Sequence, residues 1–293
     1  MDCERGIGTR KAPRGEVNSR QLKVESRIFG EESQRHRAVM QEFFGSDGHL
    51  DVEPILHQAK ARRAYFYDSV DTTRRPGESD EVWQVRVQER ESFLSHVQSL
   101  SGFHVRRGTV SRGKKREQKE VDVQLTVDML THGFNGSMSK AVLLAGDRDF
   151  RPVVDALVRH GVFVDVWYHR DSFSQELPGA ADFGHEVRFR QLYTWNTEAF
   201  QRAHRIPDEE QRGGSRWGQL VKAGSVAGCP VELYKTQIVD GKTRFHLWIT
   251  TRQWELMVSD EDPDLIERYA AIQYAPIAWE ANADDVQVTG AAS

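Results

Sequence analysis

Apolar segments of two kinds alternate along the first two thirds of the chain. Short apolar and aromatic runs predict buried strands, and longer stretches with apolar residues three or four apart predict helices. The run Ala141–Ala145 is typical of a central parallel strand that is covered on both faces. The other strands are expected at 64–67, 103–105 and 162–168. The helices are expected at 34–44, 51–61, 79–100, 121–131 (ended by Gly133) and 150–160.

Strands that alternate with helices at this spacing predict βαβ units, and therefore an α/β domain with a parallel sheet. We assign residues 27–200 to this domain. Residues 1–26 are polar and have few apolar anchors, so they are interpreted as a mobile extension.

A different composition follows the α/β domain. Residues 201–216 are polar and contain Gly213-Gly214, which is typical of a linker. Residues 217–293 are expected to form a small β-containing C-terminal domain, or an extension of the first domain. Within them, Asp240-Gly241 lies between two apolar segments and is a strong hairpin signal. We infer no chemistry from this region.

The overall charge limits how the chain can meet nucleic acid. With 40 basic and 44 acidic residues the net charge is −4, which argues against nonspecific coating of nucleic acid by the whole surface.

No run of eighteen apolar residues predicts a transmembrane helix, and no apolar stretch near the N-terminus predicts a signal peptide. Only two cysteines are present, so neither a disulfide framework nor a structural zinc site is expected, and a cytoplasmic location fits best.

The turn Gly146-Asp147-Arg148-Asp149-Phe150 carries the main chemical signal. It follows the strand 141–145 directly, and ligand sites in open parallel sheets lie just beyond the carboxyl ends of the strands. For Asp149 alone, capping of the next helix explains a carboxylate equally well. Two carboxylates around one glycine turn, however, favour a metal site.

Asp122 lies at the start of the preceding helix, whose first turns should approach the same edge. Asp128 is about 120° away around that helix, so we interpret it as a supporting carboxylate, or equally as an ordinary hydrogen-bonded one. Three converging carboxylates repel one another unless a cation neutralises them. Because their oxygens are hard ligands, Mg²⁺ or Mn²⁺ is the expected ion, and it would activate water for hydrolysis.

A basic segment precedes Asp122. Between His104 and Glu120, seven basic residues stand against two acidic ones. The basic residues are Arg106, Arg107, Arg112, Lys114, Lys115, Arg116 and Lys119. They predict contact with RNA phosphates through charge and counterion release, with a solvated loop as the alternative.

The segment 119–168 resembles the NYN-domain family, which belongs to the PIN-like nuclease group and includes LabA-type bacterial proteins. Lys119-Glu120-Val121-Asp122 is similar to its helix start. Ala141–Phe150 is similar to its strand and Ser-Gly-Asp-x-Asp-Phe turn, with Ala145 in place of the serine. Residues 64–68 resemble its aromatic second strand, and residues 177–183 its late Leu-x-x-x-Ala-Asp-x-Phe element.

The resemblance covers about half of the chain and implies a PIN-like parallel sheet flanked by helices. It also implies a metal-dependent ribonuclease in which Asp122 and Asp147 are metal ligands. Asp149 would be a ligand or would orient water, and Asp128 would support the site.

One departure concerns the first strand, which in the family normally ends in Asp-Gly-x-Asn and supplies another carboxylate. Here the best candidate, Arg27–Ser33, lacks that aspartate. Either Glu31 replaces it from a supporting position, or the true start lies upstream of Met1, or metal binding is weakened by several kcal/mol.

Three functions remain open from the sequence. The first is a metal-dependent endoribonuclease, and the second is a nucleic-acid-binding or regulatory protein that kept the fold and lost part of the ligand set. In the third, the C-terminal domain dominates as a module that binds a protein partner. A homo-oligomer is compatible with each.

Overall fold

The computed structural model describes residues 24–108, 117–170, 176–237 and 241–280. The described residues divide into two compact units, one made of 24–42 and 46–200 and the other of 43–45 and 201–280. No helix in the described ranges combines the length and the apolar character needed to cross a membrane.

The first unit is built on a parallel sheet. Its strands are ordered β3-β2-β1-β4-β5-β6, and every neighbouring pair is parallel. The strands are β1 (Val24–Phe29), β2 (Arg63–Asp68), β3 (Phe103–Arg107), β4 (Lys140–Leu144), β5 (Phe163–His169) and β6 (Phe183–Val187).

Helices connect these strands, which confirms the predicted α/β class with a helix-flanked parallel sheet. A 3₁₀ turn, Arg148–Phe150, precedes the fifth helix. The helices are α1 (Gly30–Phe44), α2 (Glu53–Gln58), α3 (Asp80–Ser99), α4 (Glu117–Phe134), α5 (Arg151–Arg159), α6 (Glu176–Ala180), α7 (Phe189–Thr194) and α8 (Glu198–Ala203).

Strand β4 lies at the centre of the sheet because its side chains are apolar on both faces. From Ala141 to Leu144 each side chain is at most 2% exposed. On one face, Ala141 and Leu143 join a cluster with Tyr65 and Tyr67 of β2 and with the buried residues of α4 and α5. Continuous apolar character in a short segment therefore predicted both the strand and its central position.

Helix α4 extends beyond the end that its glycine predicts. Gly133 lies inside the helix, which continues to Phe134. A Cβ atom at Gly133 would lie 2.4 Å from Cδ2 of Leu157, so the glycine allows α4 and α5 to pack closely. Its role is interhelical packing, and the prediction that it ends the helix was wrong.

The second unit is an antiparallel sheet ordered β12-β8-β9-β10-β11-β7, with α9 (Pro263–Gln273) after β11. Asp262 caps α9 by accepting hydrogen bonds from two backbone amides of its first turn. The strands are β7 (Asp208–Gln211), β8 (Gln219–Val226), β9 (Cys229–Gln237), β10 (Thr243–Thr250), β11 (Glu255–Asp260) and β12 (Ile277–Trp279).

The segment 201–216 differs from the expected linker, because it contains the end of α8 and all of β7. The carboxylate of Glu209 in β7 accepts hydrogen bonds from the hydroxyls of Tyr269, at 2.6 Å, and Tyr274, at 2.8 Å. These side-chain bonds join β7 to α9, while β7 pairs with β11 in the sheet. Hydrophobic periodicity does not reveal them.

Candidate functional site

The candidate site lies at the point of the parallel sheet where the direction in which successive strands are added reverses. The chain proceeds from β1 to β2 and β3 on one side, and from β4 to β5 and β6 on the other. Strands β1 and β4 are neighbours, with Ile28 paired to Leu144. Beyond the carboxyl ends of such a pair the connections diverge and leave a crevice, which is where ligands bind in open α/β sheets.

The acidic turn borders this crevice directly after β4. Asp147 is the N-cap of the 3₁₀ turn, and its Oδ1 accepts a hydrogen bond of 2.9 Å from the amide of Asp149. Phe150, only 2% exposed, anchors the turn in the core, while Asp147 and Asp149 are exposed. The sequence suggested that Asp149 caps the next helix, but the N-cap position of α5 is Phe150, which makes no side-chain cap, and Asp147 caps only the 3₁₀ turn.

Asp122 is on α4, whose buried face belongs to the same core cluster as the residues on either side of this turn. It is the sixth residue of α4 and is partly buried. Its neighbours Val121 and Leu125 belong to the same buried cluster as Ala145 and Phe150, which flank Gly146 to Asp149. Because α4 connects two parallel strands, its N-terminal half lies at the carboxyl edge of the sheet. The Asp122 turn of α4 and the acidic turn are therefore anchored in the same core cluster, and the approach of Asp122 to Asp147 stays a prediction.

Asp128 lies two turns further along α4 and has two polar partners. Its Oδ2 accepts a hydrogen bond from the hydroxyl of Tyr67, at 3.1 Å, and another from Nε of Arg106, at 3.0 Å. The guanidinium of Arg106 also lies 5.5 Å from the ring centre of Tyr65. Asp128 therefore ties α4 to the ends of β2 and β3, and its supporting role at the site stays a prediction.

Two residues of the predicted RNA-contacting segment have described side chains, Arg106 and Arg107. Arg106 pairs with Asp128, and Nη1 of Arg107 lies 2.5 Å from the carboxylate of Glu91. Lys119 belongs to α4, but its side chain is outside the described part of the structure. The remaining basic residues of the segment also lie outside the described residues: Arg112, Lys114, Lys115 and Arg116.

Glu31 is the second residue of α1, directly after β1. Strand β1, which precedes it, pairs with β4 from Val24 to Ile28. The side chain of Glu31 is outside the described part, so its proposed substitution for the missing aspartate stays a prediction.

The donor set at the edge fits a hard divalent ion. Among the side chains that the structure describes, no three His, Cys, Asp or Glu residues are grouped closely enough to hold a metal. Mg²⁺, however, is usually bound by one or two carboxylates and completes its shell with water and substrate phosphate oxygens. Asp147 with Asp149 or Asp122 satisfies that smaller requirement in ligand type.

A buried ion pair at the same edge is not predicted by the sequence. Asp68 ends β2, is 9% exposed, and forms an ion pair with Arg90 of α3. Burial raises the pKa of Asp68, and the positive charge of Arg90 opposes that rise. Arg90 also donates a 3.0 Å hydrogen bond to Oγ of Ser33 in α1. The pair therefore joins β2 and α3 to the start of α1, next to the crevice.

A second arginine fixes the loop between β2 and α3. Arg86 donates to the backbone carbonyls of Asp71 and Thr73, each at 2.8 Å, and to Oε1 of Glu78 at 2.8 Å. The hydrogen bonds from Arg86 lower the pKa of Glu78 to about 2. For the Asp68–Arg90 pair the sequence signal is that Asp68 directly follows an aromatic run; local patterns do not reveal the contacts of Arg86.

The fold and the edge together define an α/β domain of a nuclease-like type, with carboxylates at the switch point of a parallel sheet. A family model described as the NYN domain matches residues 38–187, just over half of the chain. The chain belongs to the NYN domain family. The match begins after β1, so it does not include the first strand or Glu31.

A solved structure with some likeness is a protein of unknown function, VPA0982, from Vibrio parahaemolyticus. It is 17% identical, its alignment covers 57% of this chain and 94% of that chain, and the TM-score is 0.40. Among proteins of curated function, none matches this sequence.

Proposed function

We propose that this chain is a divalent-metal-dependent endoribonuclease whose site is the edge beyond β1 and β4. The observation that carries the proposal is the Asp147–Asp149 turn at the switch point, with the Asp122 turn of α4 packed in the same cluster. In the proposal, Asp147 holds Mg²⁺ or Mn²⁺ together with Asp149 or Asp122, and all three carboxylates are assigned to the site, with water and substrate phosphate oxygens completing the shell of the ion. The bound ion would polarise a phosphodiester oxygen and lower the pKa of a water molecule.

Each carboxylate has a distinct part in this proposal. Oδ1 of Asp147 accepts the hydrogen bond that closes the turn. Oδ2 takes no part in that bond, and the proposal assigns it to the metal ion. Asp149 is exposed beside it and is assigned to the ion or to the attacking water. Asp128, bound by Tyr67 and Arg106, would keep α4 in register with the sheet.

We assign RNA contact to the basic segment that leads into α4. Arg106 and Arg107 already have carboxylate partners, so their contribution is expected to be positive potential more than direct phosphate bonds. Direct contacts are assigned to the other basic residues of the segment: Arg112, Lys114, Lys115, Arg116 and Lys119.

The proposal predicts that Asp147→Asn abolishes RNA cleavage. Asparagine caps helices as well as aspartate does, so the turn should survive while the charge is lost. We expect at least about a hundredfold slower cleavage of a labelled single-stranded RNA, because metal stabilisation contributes several kcal/mol to such reactions. EDTA should have the same effect on the wild type.

The matched control is Asp155→Asn, the same change on α5, where Oδ2 of the half-buried Asp155 lies 3.7 Å from Nε of Arg151. It should cleave at the wild-type rate. Cleavage that persists in both EDTA and Asp147→Asn would remove the basis for the proposal.

The second candidate is a nucleic-acid-binding or regulatory NYN protein without hydrolysis. The observation that favours it is the first strand, which continues into Gly30-Glu31 without an aspartate and lies outside the family match. RNA binding that Asp147→Asn does not alter, together with no cleavage in Mg²⁺ or Mn²⁺, would support this candidate.

A further inference from the structure

An exposed arginine lies between the two carboxylates of the acidic turn. Arg148 is exposed, and within the described ranges its guanidinium makes neither a hydrogen bond nor an ion pair. Its Cα atom is about 3.8 Å from those of Asp147 and Asp149. The next arginine along the chain, Arg151, differs, because its Nη1 lies 3.1 Å from Oε2 of Glu176. The donors of Arg148 are therefore available to a ligand at this edge.

Two further arginines follow the neighbouring strands. Strand β5 pairs with β4, and Arg170 comes directly after β5. Strand β6 pairs with β5, and Arg188 comes directly after β6. Because all three strands are parallel, both arginines leave the sheet at the same edge as the acidic turn. Neighbouring strands are about 4.8 Å apart, so Arg170 lies beside the turn, on the side away from β1.

Glu186 orients these two arginines. Nη2 of Arg170 lies 3.0 Å from Oε1 of Glu186, and Nη2 of Arg188 lies 3.4 Å from Oε2. The side chain of Arg170 is 44% exposed, whereas that of Arg188 is 12% exposed. Arg170 is therefore both accessible and held in place. A guanidinium that is already ordered loses less conformational entropy when it binds a ligand.

We propose that Arg148 and Arg170 form a phosphate subsite on the β5 side of the metal position, which binds single-stranded RNA at a phosphate next to the scissile one. The inference rests on the proposed function, which supplies the RNA and places the scissile phosphate at Asp147. A guanidinium presents a planar set of donors that matches phosphate oxygens, and it stays charged at physiological pH.

The subsite also defines how the RNA lies across the protein. The basic segment that leads into α4 follows β3, whereas Arg170 follows β5. The strand order β3-β2-β1-β4-β5-β6 places the metal position between these two basic surfaces. The RNA strand would then cross the carboxyl edge of the sheet, with phosphates bound on both sides of the scissile bond.

The salt dependence of binding measures how many phosphates the protein neutralises. The probe is a labelled single-stranded RNA whose bridging phosphodiester oxygens are replaced by methylene groups, which keeps the phosphate charge, and the full chain is measured in EDTA. Each phosphate contact contributes about 0.7 to the slope of log K against log salt concentration. Arg148→Gln should weaken binding about tenfold and lower that slope by about 0.7, and so should Arg170→Gln.

The matched control is Arg159→Gln, the same change at the last residue of α5. Arg159 is exposed, and because α5 runs from the end of β4 to the start of β5, it lies at the opposite edge of the sheet. It should leave the slope unchanged. Arg148→Lys should keep the slope but bind more weakly than the wild type, because an ammonium group does not bind phosphate bidentately.

An unchanged slope in Arg148→Gln overturns the subsite, as does an equal decrease in Arg159→Gln or a wild type that binds no RNA. Cleavage of unmodified RNA in Mg²⁺ separates this inference from the proposed function. A wild type that cleaves while Arg148→Gln keeps the full slope overturns the subsite alone. A wild type that does not cleave, with the slope lowered in Arg148→Gln, overturns the nuclease and supports phosphate binding by Arg148.

Discussion

At the scale of single residues, buried polar groups around α1 show how closely the first unit is packed. His36 is 1% exposed, and its Nε2 lies 3.1 Å from the backbone carbonyl oxygen of Leu192. A Cβ atom at Gly48 would lie 2.7 Å from the imidazole and 2.5 Å from Met40. Burial lowers the pKa of His36 to about 4, so the ring is neutral at pH 7 and Nε2 donates to Leu192.

This lowered pKa predicts a loss of stability in acid. The unfolded chain takes up the proton near the ordinary histidine pKa of about 6.5, whereas the folded chain does so only near pH 4. The contribution of His36 to the unfolding free energy is therefore fully present above pH 6.5 and is lost as the pH falls from 6.5 towards 4. We expect about 2 kcal/mol less unfolding free energy at pH 5 than at pH 7.5 from this group.

Urea denaturation at both pH values measures that difference. In His36→Gln, whose amide can still donate to Leu192, the part of the pH dependence that comes from His36 should disappear. If the unfolding free energy changes equally between the two pH values in the variant and in the wild type, another group is responsible.

At the scale of elements, Gly133 determines how closely α4 and α5 approach. Alanine is about 1 kcal/mol better than glycine within a helix, which alone would make Gly133→Ala stabilising. The new Cβ would lie 2.4 Å from Cδ2 of Leu157 and 3.4 Å from Cγ2 of Val162. Because Leu157 is fully buried, it cannot turn away without disturbing the core.

We expect Gly133→Ala to lower the free energy of unfolding by about 1–2 kcal/mol, since overpacking costs more than helix propensity gains. The control is Gly179→Ala in α6, where a Cβ atom would meet nothing within 4 Å. That change should leave stability unchanged or raise it by up to about 1 kcal/mol. Chemical denaturation of both variants measures these changes in the free energy of unfolding. A Gly133→Ala variant that is more stable than the wild type would contradict the packing argument.

The elements also show what the sequence could and could not predict. Strand β4, α5 and the acidic turn follow from local patterns, because an apolar run, Pro152 and Gly161 each act within a few residues. The Arg90 pair with Asp68 joins residues that are far apart in sequence, and no periodicity encodes it. The same holds for the bonds from Tyr269 and Tyr274 to Glu209. Long-range polar contacts were therefore the part that prediction missed.

At the scale of the whole molecule, charge constrains how RNA reaches the site. The chain carries a net charge of −4, and the crevice is bordered by Asp147 and Asp149. A polyanion that approaches two exposed carboxylates is repelled unless a cation lies between them. Since the described carboxylates form no group of three, phosphate oxygens are expected to complete the coordination of the ion. Metal binding and RNA binding should then reinforce each other.

This coupling can be measured without cleavage, with a labelled RNA whose bridging phosphodiester oxygens are replaced by methylene groups, because a metal-activated water cannot then displace the leaving group. At constant ionic strength, Mg²⁺ should strengthen binding to the wild type about tenfold, within the range usual for coupled sites. Fluorescence anisotropy gives the dissociation constants. Asp147→Asn should bind with similar affinity in the absence of Mg²⁺ but lose the enhancement, whereas Asp155→Asn should keep it.

If Mg²⁺ strengthens binding equally in Asp147→Asn, the ion acts elsewhere on the RNA or on the protein. No enhancement in the wild type would mean that phosphate does not complete the metal shell at this edge.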